Sequence, residues 1–247
     1  MANNNAIRHI SPAKRTIPGR SSELSVVIPA AGIGQRMKDK NPKSLIQLPD
    51  YTLIEHQIET IWSQFPKAEI IIVTGFSSYK VENAIQNYPV RVVYNPIFET
   101  TNVAFSIGLG LRATVSNHVL IIHGDLFFNK ESISHIVDGN SKILVDTAKT
   151  FDNREVGFVI DENTKVTNLS YGLPQKWAQI TYLKGRELDL FKPICYNEDA
   201  VRWFGYEALN AMLEKGGVLE THEVNSSYVI DLDTQQDVQK LNLHLTS

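Results

Sequence analysis

The stretch Leu24-Ser25-Val26-Val27-Ile28-Pro29-Ala30-Ala31-Gly32-Ile33-Gly34-Gln35-Arg36-Met37, with Pro42-Lys43-Ser44 after it, decides the fold. It opens as a short apolar run, the pattern of a strand buried on both faces. The run ends at Gly32-Ile33-Gly34, where missing side chains let backbone N–H groups turn inward and approach an anion closely. Arg36 adds a planar fork for phosphate oxygens and Lys43 a compact charge. Two familiar phosphate loops are excluded. The dinucleotide fingerprint wants a third glycine where Met37 stands, and the pattern places Glu55, the candidate ribose contact, mid-helix. The P-loop wants Gly-Lys-Ser, and this chain has Pro42-Lys43-Ser44. Pro42 offers no N–H and biases Asn41 away from helix, so the loop continues as an extended arm that returns Lys43 to the site.

Outward from this loop, strands and helices alternate. Leu53, Ile54, Ile58, Ile61, Trp62 and Phe65 recur at helical spacing, Ile70 to Thr74 reads as a strand, and Val81 to Tyr88 as a helix. Val90 to Tyr94 is a third strand, Val103 to Arg112 a helix capped by Thr100, Thr101 or Asn102, and His118 to His123 a fourth strand. This is the signature of βαβ units: a Rossmann-like mixed, mostly parallel sheet flanked by helices. After Lys142 the character turns α+β. Strands are expected at Lys142–Asp146, Glu155–Ile160, Lys165–Tyr171 and Trp177–Leu183, with a turn at Asp161-Glu162-Asn163. A helix from Asn197 to Glu214, a strand ending Tyr228-Val229-Ile230 and a helix from Thr234 complete the reading. Residues 1–23 mix Asn, Ser, Pro and Gly with basic residues and read as a flexible tail, a docking segment being the alternative. Residues 24–247 are expected to form one domain, with an α/β half (24–140) and an α+β half (141–247).

Composition narrows the function. Of 247 residues, 43% are hydrophobic, enough for a sizeable core without staples. The single cysteine, Cys195, excludes an intramolecular disulfide framework and points to a reducing, cytoplasmic setting. A formal charge of -3 argues against a dedicated nucleic-acid binder. No apolar run is long enough for a membrane span or a signal peptide.

Two further segments carry chemistry. Asp125 follows His123-Gly124 at the carboxyl end of an apolar strand, where ligands of open α/β sheets bind. His123 itself reads as a buried strand histidine. In Tyr228-Val229-Ile230-Asp231-Leu232-Asp233-Thr234, the period of two puts Asp231 and Asp233 on one face. With Asp125 opposite, they make a hard oxygen site suited to Mg²⁺. The alternative is that Asp233 or Thr234 caps the last helix; Asp237 is assigned to that helix's face.

These three segments, in this order, resemble the nucleotidyltransferases of the GT-A-like, Rossmann-related fold. The closing Val-Ile-Asp-Leu-Asp-Thr…Asp is similar to the branch holding phosphocholine cytidylyltransferases and small sugar-1-phosphate nucleotidyltransferases. The resemblance implies phosphate handling by Gly32, Gly34, Arg36 and Lys43, the last two as catalytic residues, and Mg²⁺ at Asp125, Asp231 and Asp233. It implies nucleotide binding by Ala30, Ala31, Gly32, Gly34, Gly75, Asn95, Asn102 and Ser106. The partners implied are a nucleoside triphosphate, with CTP preferred, and a small phosphorylated acceptor; the oligomeric state stays open. Leu126-Phe127-Phe128 stands where isoprenoid-pathway cytidylyltransferases carry acidic-Ala-Ala-Arg, and the left-handed helix repeats of bifunctional sugar enzymes are missing.

The implied reaction is attack of an acceptor phosphate on the α-phosphorus, expelling pyrophosphate. A phosphate nucleophile is already ionised at pH 7, which fits the lack of a Ser–His pair. Tyr171, Trp177, Tyr182, Trp203, Phe204 and Tyr206 offer an aromatic cage for a quaternary ammonium, with core packing the alternative. Three other readings stay open: a UTP-, dTTP- or GTP-dependent sugar-1-phosphate enzyme, a GT-A glycosyltransferase, and a non-catalytic binding module. The glycosyltransferase would want Asp-x-Asp where Asp125-Leu126-Phe127 stands, and the intact Gly, Arg, Lys and Asp set disfavours the module.

Overall fold

The structure is a computed structural model and describes residues 22–33, 41–146, 153–224 and 228–246. Gly34, Arg36 and nearly all of the expected tail lie outside the described residues. Strand β1 (Ser25–Ala30) is buried at every position, as its apolar run requires. Helix α1 (Leu53–Gln64) buries Leu53, Ile54, Ile58, Ile61 and Trp62. Glu55 is not mid-helix. It sits in the first turn, where its Oε2 accepts from the amide (2.8 Å) and hydroxyl (2.7 Å) of Thr52 and stabilises the helix start. Then come β2 (Glu69–Thr74), α2 (Ser78–Ile85), β3 (Arg91–Tyr94) and α3 (Val103–Ala113), the last capped by Asn102. Strand β4 (His118–Ile122) is followed by β5 (Leu126–Phe128), too short to show a period.

The second half departs from expectation in its helices. After β6 (Lys142–Val145), the hairpin β7 (Val156–Ile160) and β8 (Val166–Tyr171), and the long β9 (Gln175–Lys184), the chain forms an unforeseen helix α4 (Gly185–Tyr196). Gly185 in the left-handed region (φ 51°) and Pro193 inside the helix hide it, although Leu188, Phe191, Ile194 and Cys195 keep a helical spacing. The expected single helix from Asn197 is broken. Asn197 caps a short 3-10 turn (Glu198–Ala200), and α5 (Gly205–Glu214) starts where Glu207 accepts from the Phe204 amide at 2.7 Å. Strands β10 (Glu220–His222) and β11 (Val229–Asp231) and helix α6 (Gln235–Thr246) complete the chain. Asp237 serves as a cap, accepting from the Thr234 amide at 2.8 Å and hydroxyl at 2.7 Å.

The main sheet runs β10-β6-β9-β4-β1-β2-β3, with the β7–β8 hairpin attached through β9. β1 is parallel to β2 and β4, and β2 to β3, whereas β9 is antiparallel to β4 and β6. The chain moves outward from β1 through β2 to β3, and α3 then returns it to β4 on the other side of β1. The order reverses there, which opens a crevice at the carboxyl ends of β1 and β4. Alternation splits the core. Val26, Ile28, Ile70, Ile72, Leu120 and Ile122 face α1 and α2. Val27, Ile71, Val73, Val119 and Ile121 face α3, α4 and α5. Each such side chain removed from water contributes about 2 kcal/mol. Gly110 lets α3 press onto β1, since a Cβ there would lie 2.4 Å from Val27 Cγ1. β11 stays off the main sheet and pairs antiparallel with β5. Phe127, Ile230, Leu232 and Leu241 bury that pair under α6. Among the described residues, no helix is long and apolar enough to cross a membrane.

Candidate active site

The crevice at the switch point is a cleft of about 480 Å³. Its floor is the end of β1, Pro29 to Gly32. Among the described residues, a Cβ on Gly32 would meet nothing within 4 Å, so no clash there calls for the glycine and a ligand has room to approach. Gly124 is the opposite case. A Cβ there would stand 2.8 Å from the Pro29 carbonyl and 2.9 Å from Ala30 Cβ, so only glycine lets the turn after β4 press against β1. That contact, with the Gly124 amide donating to the Pro29 carbonyl at 3.2 Å, delivers Asp125 to the cleft.

Asp231 and Asp233 arrive from the other side. In the β11–β5 ladder Asp231 pairs with Leu126, and the Leu232 amide donates to the Asp125 carbonyl at 3.0 Å. One oxygen from each of Asp125, Asp231 and Asp233 then lies within 4.8 Å of the others. Lys43 joins them. Pro42 is extended (φ -54°, ψ 139°) and the chain tightens into a 3-10 turn at Lys43–Leu45. The Lys43 Nζ donates to Asp125 Oδ2 at 3.1 Å and also to Asp233 Oδ1. The arm expected to bring a phosphate binder thus brings an ammonium onto the carboxylates themselves.

Burial pulls the Lys43 ammonium toward neutrality, but the charges of Asp125, Asp233 and Asp231 outweigh it and hold its pKa above the usual lysine value. Asp231 is raised to about 7, first by burial and then by repulsion from Asp125 and Asp233. Its Oδ2 accepts from Gln179 Nε2 at 2.9 Å, while its buried Oδ1 has no hydrogen-bond partner among the described residues. Crowded carboxylates, one bearing an orphaned buried oxygen, fit a hard divalent cation such as Mg²⁺. Burial holds the His123 imidazole below its usual value, so it is neutral at pH 7.

The remaining expected residues divide. Ala30, Ala31, Gly32, Asn95, Asn102 and Ser106 all line the cleft. Asn95 is fully buried, however, and spends its side chain internally. Its Nδ2 donates to Thr101 Oγ1 (3.0 Å) and Ser106 Oγ (3.1 Å), and its Oδ1 accepts from the Ile97 amide (3.1 Å). It therefore shapes the wall rather than presenting free polar atoms. Gly75 does not line the cleft; it packs behind it, where a Cβ would stand 2.7 Å from Phe98 Cβ and 2.8 Å from Ala31 Cβ.

The aromatic end of the cleft is built by four rings. Tyr171, Trp177, Phe204 and Tyr206 line it. Tyr182 and Trp203 do not. Tyr182 is core and bonds His118 Nδ1 at 2.7 Å, and Trp203 packs against the core on the α3–α5 face of the sheet. Tyr171 and Tyr206 meet edge to face at 5.6 Å, and Phe204 stacks on Tyr206 at 6.0 Å. Tyr171 and Phe204 are 46% and 44% exposed. Arg154 and Glu155, missed in the sequence, border this end, with Lys176 3.0 Å from Glu155. Gln179, also missed, lines the cleft beside Asp231, and its only sequence signal is a polar residue inside the apolar run Trp177–Leu183.

The comparisons with known proteins agree with this architecture. Bifunctional protein GlmU of Buchnera aphidicola subsp. Acyrthosiphon pisum (strain Tuc7) is 31% identical over 152 residues, 60% of this chain and 33% of that protein. GlmU of Francisella tularensis subsp. novicida (strain U112) is 34% identical over 116 residues, 47% of this chain and 25% of that one. The chain thus spans a third or less of the length of these curated relatives. Among solved structures, the CTP:phosphocholine cytidylyltransferase LicC from Streptococcus pneumoniae superposes with a TM-score of 0.75 at 20% identity, covering 90% of this chain and 99% of that one. The inositol-1-phosphate CTP transferase from T. maritima gives 0.70 at 14% identity, covering 91% and 96%. Residues 26–155 match the family described as the MobA-like NTP transferase domain, and the chain belongs to that nucleotidyltransferase family.

Proposed function

We propose that the chain transfers a nucleoside monophosphate, CMP from CTP, to a small phosphorylated acceptor bearing a cationic or polar head, releasing pyrophosphate. The observation that carries this reading is the meeting of Lys43 with Asp125, Asp231 and Asp233 in a cleft that is also lined by exposed aromatic rings. Triphosphate and acceptor phosphate repel one another, so the reaction depends on positioning and charge neutralisation. Asp125, Asp231 and Asp233 would hold Mg²⁺, whose charge brings two phosphates within reach of each other. Lys43 stands beside them as a fixed positive charge for a phosphate oxygen. Arg36, in the segment beyond Gly34, is proposed for the leaving pyrophosphate. The open space over Gly32 admits the triphosphate. No side chain need remove a proton from the nucleophile. Tyr171, Phe204 and Tyr206 offer ring faces for a quaternary ammonium, with Glu155 adding a carboxylate at the same end. CTP and phosphocholine-type acceptors are favoured because structural neighbours carry those names and the aromatic end suits that head group. The same reading assigns residues 24–140 to the nucleotide and 141–247 to the acceptor, with residues 1–22 dispensable for chemistry.

The test is pyrophosphate release from CTP, UTP, dTTP and GTP, each with phosphocholine, 2-aminoethylphosphonate and sugar 1-phosphates in Mg²⁺. CTP with an amine-bearing acceptor should give the highest kcat/KM. Preference for a sugar 1-phosphate would move the acceptor assignment, and silence across the panel would overturn the reading in favour of a binding module.

A further inference from the structure

Gln179 is out of place by every local rule. It lies within β9, between the pairings Ile122–Ile180 and Val145–Trp177, where the register with β6 shifts. Its φ is +57°, the left-handed region that glycine enters freely and that a side chain with a Cβ resists. It breaks the apolar run from Trp177 to Leu183, and its side chain lines the cleft instead of joining the core. Backbone strain of this kind persists only where surrounding structure enforces it, and it concentrates at functional sites. The bulge aims the side chain into the cleft, where Gln179 Nε2 donates to Asp231 Oδ2 at 2.9 Å and the same side chain also faces the His123 imidazole. The other oxygen of that carboxylate, Oδ1, is buried without a hydrogen-bond partner among the described residues.

We propose that Gln179 is a positioning residue for the three-carboxylate centre, occupying Asp231 Oδ2 so that Oδ1 is presented to a divalent cation shared with Asp125 and Asp233. The residue type follows from the task. An amide donates a hydrogen bond without adding charge. Lysine would compete with the cation as Lys43 already does, and glutamate would add a fourth negative charge and lose the donor. Partners that orient a metal ligand in this way govern metal affinity without touching the metal. The inference rests on reading Asp125, Asp231 and Asp233 as the cation site, and its test keeps the two ideas separable.

The probe is Mn²⁺, titrated by electron paramagnetic resonance into the full-length, nucleotide-free protein, with the melting temperature of each variant measured alongside. Gln179→Met, which keeps the length but not the donor, should weaken Mn²⁺ binding about tenfold. Gln179→Gly should weaken it as much while holding or raising the melting temperature, because glycine relieves the left-handed backbone. Stability and metal affinity then move independently, which a purely structural glutamine cannot produce. Binding within twofold of the parent in both variants overturns the proposal, as does a loss of affinity that tracks a loss of melting temperature. A parent protein that binds no Mn²⁺ overturns the carboxylate reading itself, and the proposal with it.

Discussion

The carboxylate end of the cleft and its aromatic end are built from different stretches of chain and by different forces. At the first, every side chain is held by another: Lys43 by Asp125 and Asp233, Asp231 by Gln179, and the Asp125 backbone by Leu232. The side chains of Lys43, Asp125 and Asp233 retain 14%, 28% and 28% of their exposure, so their charges act with little screening. At the second, Tyr171 comes from the end of a hairpin strand and Phe204 from a helix start, and nearly half of each ring faces solvent. The first end cannot change one member without unbalancing the rest. The second can change ring by ring at small cost to the fold. On the proposed function, the chemistry common to the family belongs at the first end and acceptor choice at the second.

The strongest attempt to break this contrast is a double-mutant cycle. Asp125→Asn and Asp231→Asn should each lower turnover about 10³-fold, and the double variant should fall little further, because both remove one cation site. Additive losses, read from steady-state rates with Mg²⁺ titrated, would show two independent roles. Next in size is Lys43→Met, expected to reduce kcat/KM for the triphosphate about 10²-fold. The same change should tighten Mn²⁺ binding to the free protein, since a competing cation leaves Asp125 and Asp233. Weaker Mn²⁺ binding would mean that Lys43 instead organises the carboxylates.

A third effect comes from beneath the carboxylate end. His56 stacks on Phe127 at 4.3 Å and contacts the Phe128 carbonyl through Nε2 at 2.9 Å, bracing β5. Burial lowers its pKa to about 4. Unfolding exposes it to an ordinary value near 6.5, so the unfolded chain takes up a proton first as pH falls. The stabilisation is full above pH 6.5 and diminishes toward pH 4, with about 2 kcal/mol lost by pH 5. Urea unfolding at pH 7 and pH 5 should show a loss about 2 kcal/mol larger in the parent than in His56→Gln, the loss that remains in the variant coming from His123 and His222, which burial also holds below the usual value. The smallest effect belongs to the aromatic end. Tyr171→Ala and Phe204→Ala should each raise the acceptor KM about tenfold, the worth of one cation–π contact, and leave Mn²⁺ binding and melting temperature unchanged. A neutral tert-butyl analogue of phosphocholine binding the parent as tightly as phosphocholine would remove the cation from the argument.

The same contrast explains what could be read from the residues alone. Strands β1 to β4 announce themselves because a strand covered on both faces must be apolar throughout. The three aspartates are legible because strand ends and a period of two place carboxylates without tertiary knowledge. Helix α4 is not, because Gly185 and Pro193 punctuate it as a loop while tertiary packing of Phe191 and Cys195 makes it a helix. Gly75 reads as a loop contact, yet it is a packing position, since the atoms crowding it come from Ala31 and Phe98. Gln179 and the pairing of Lys43 with carboxylates depend on contacts between distant segments. Such contacts leave no local trace.

The β5–β11 ladder also sets an order of assembly. It joins only three residue pairs, Leu126–Asp231, Phe127–Ile230 and Phe128–Val229, across about a hundred residues of chain. Every strand of the main sheet, through β10 at His222, precedes β11 in the sequence. A chain leaving the ribosome can therefore pair its sheet and outline the cleft while holding only Asp125 of the three carboxylates. Closure of the long loop that brings Asp231 and Asp233 home comes last, so the appearance of a high-affinity divalent site during refolding should lag behind sheet formation and coincide with native turnover.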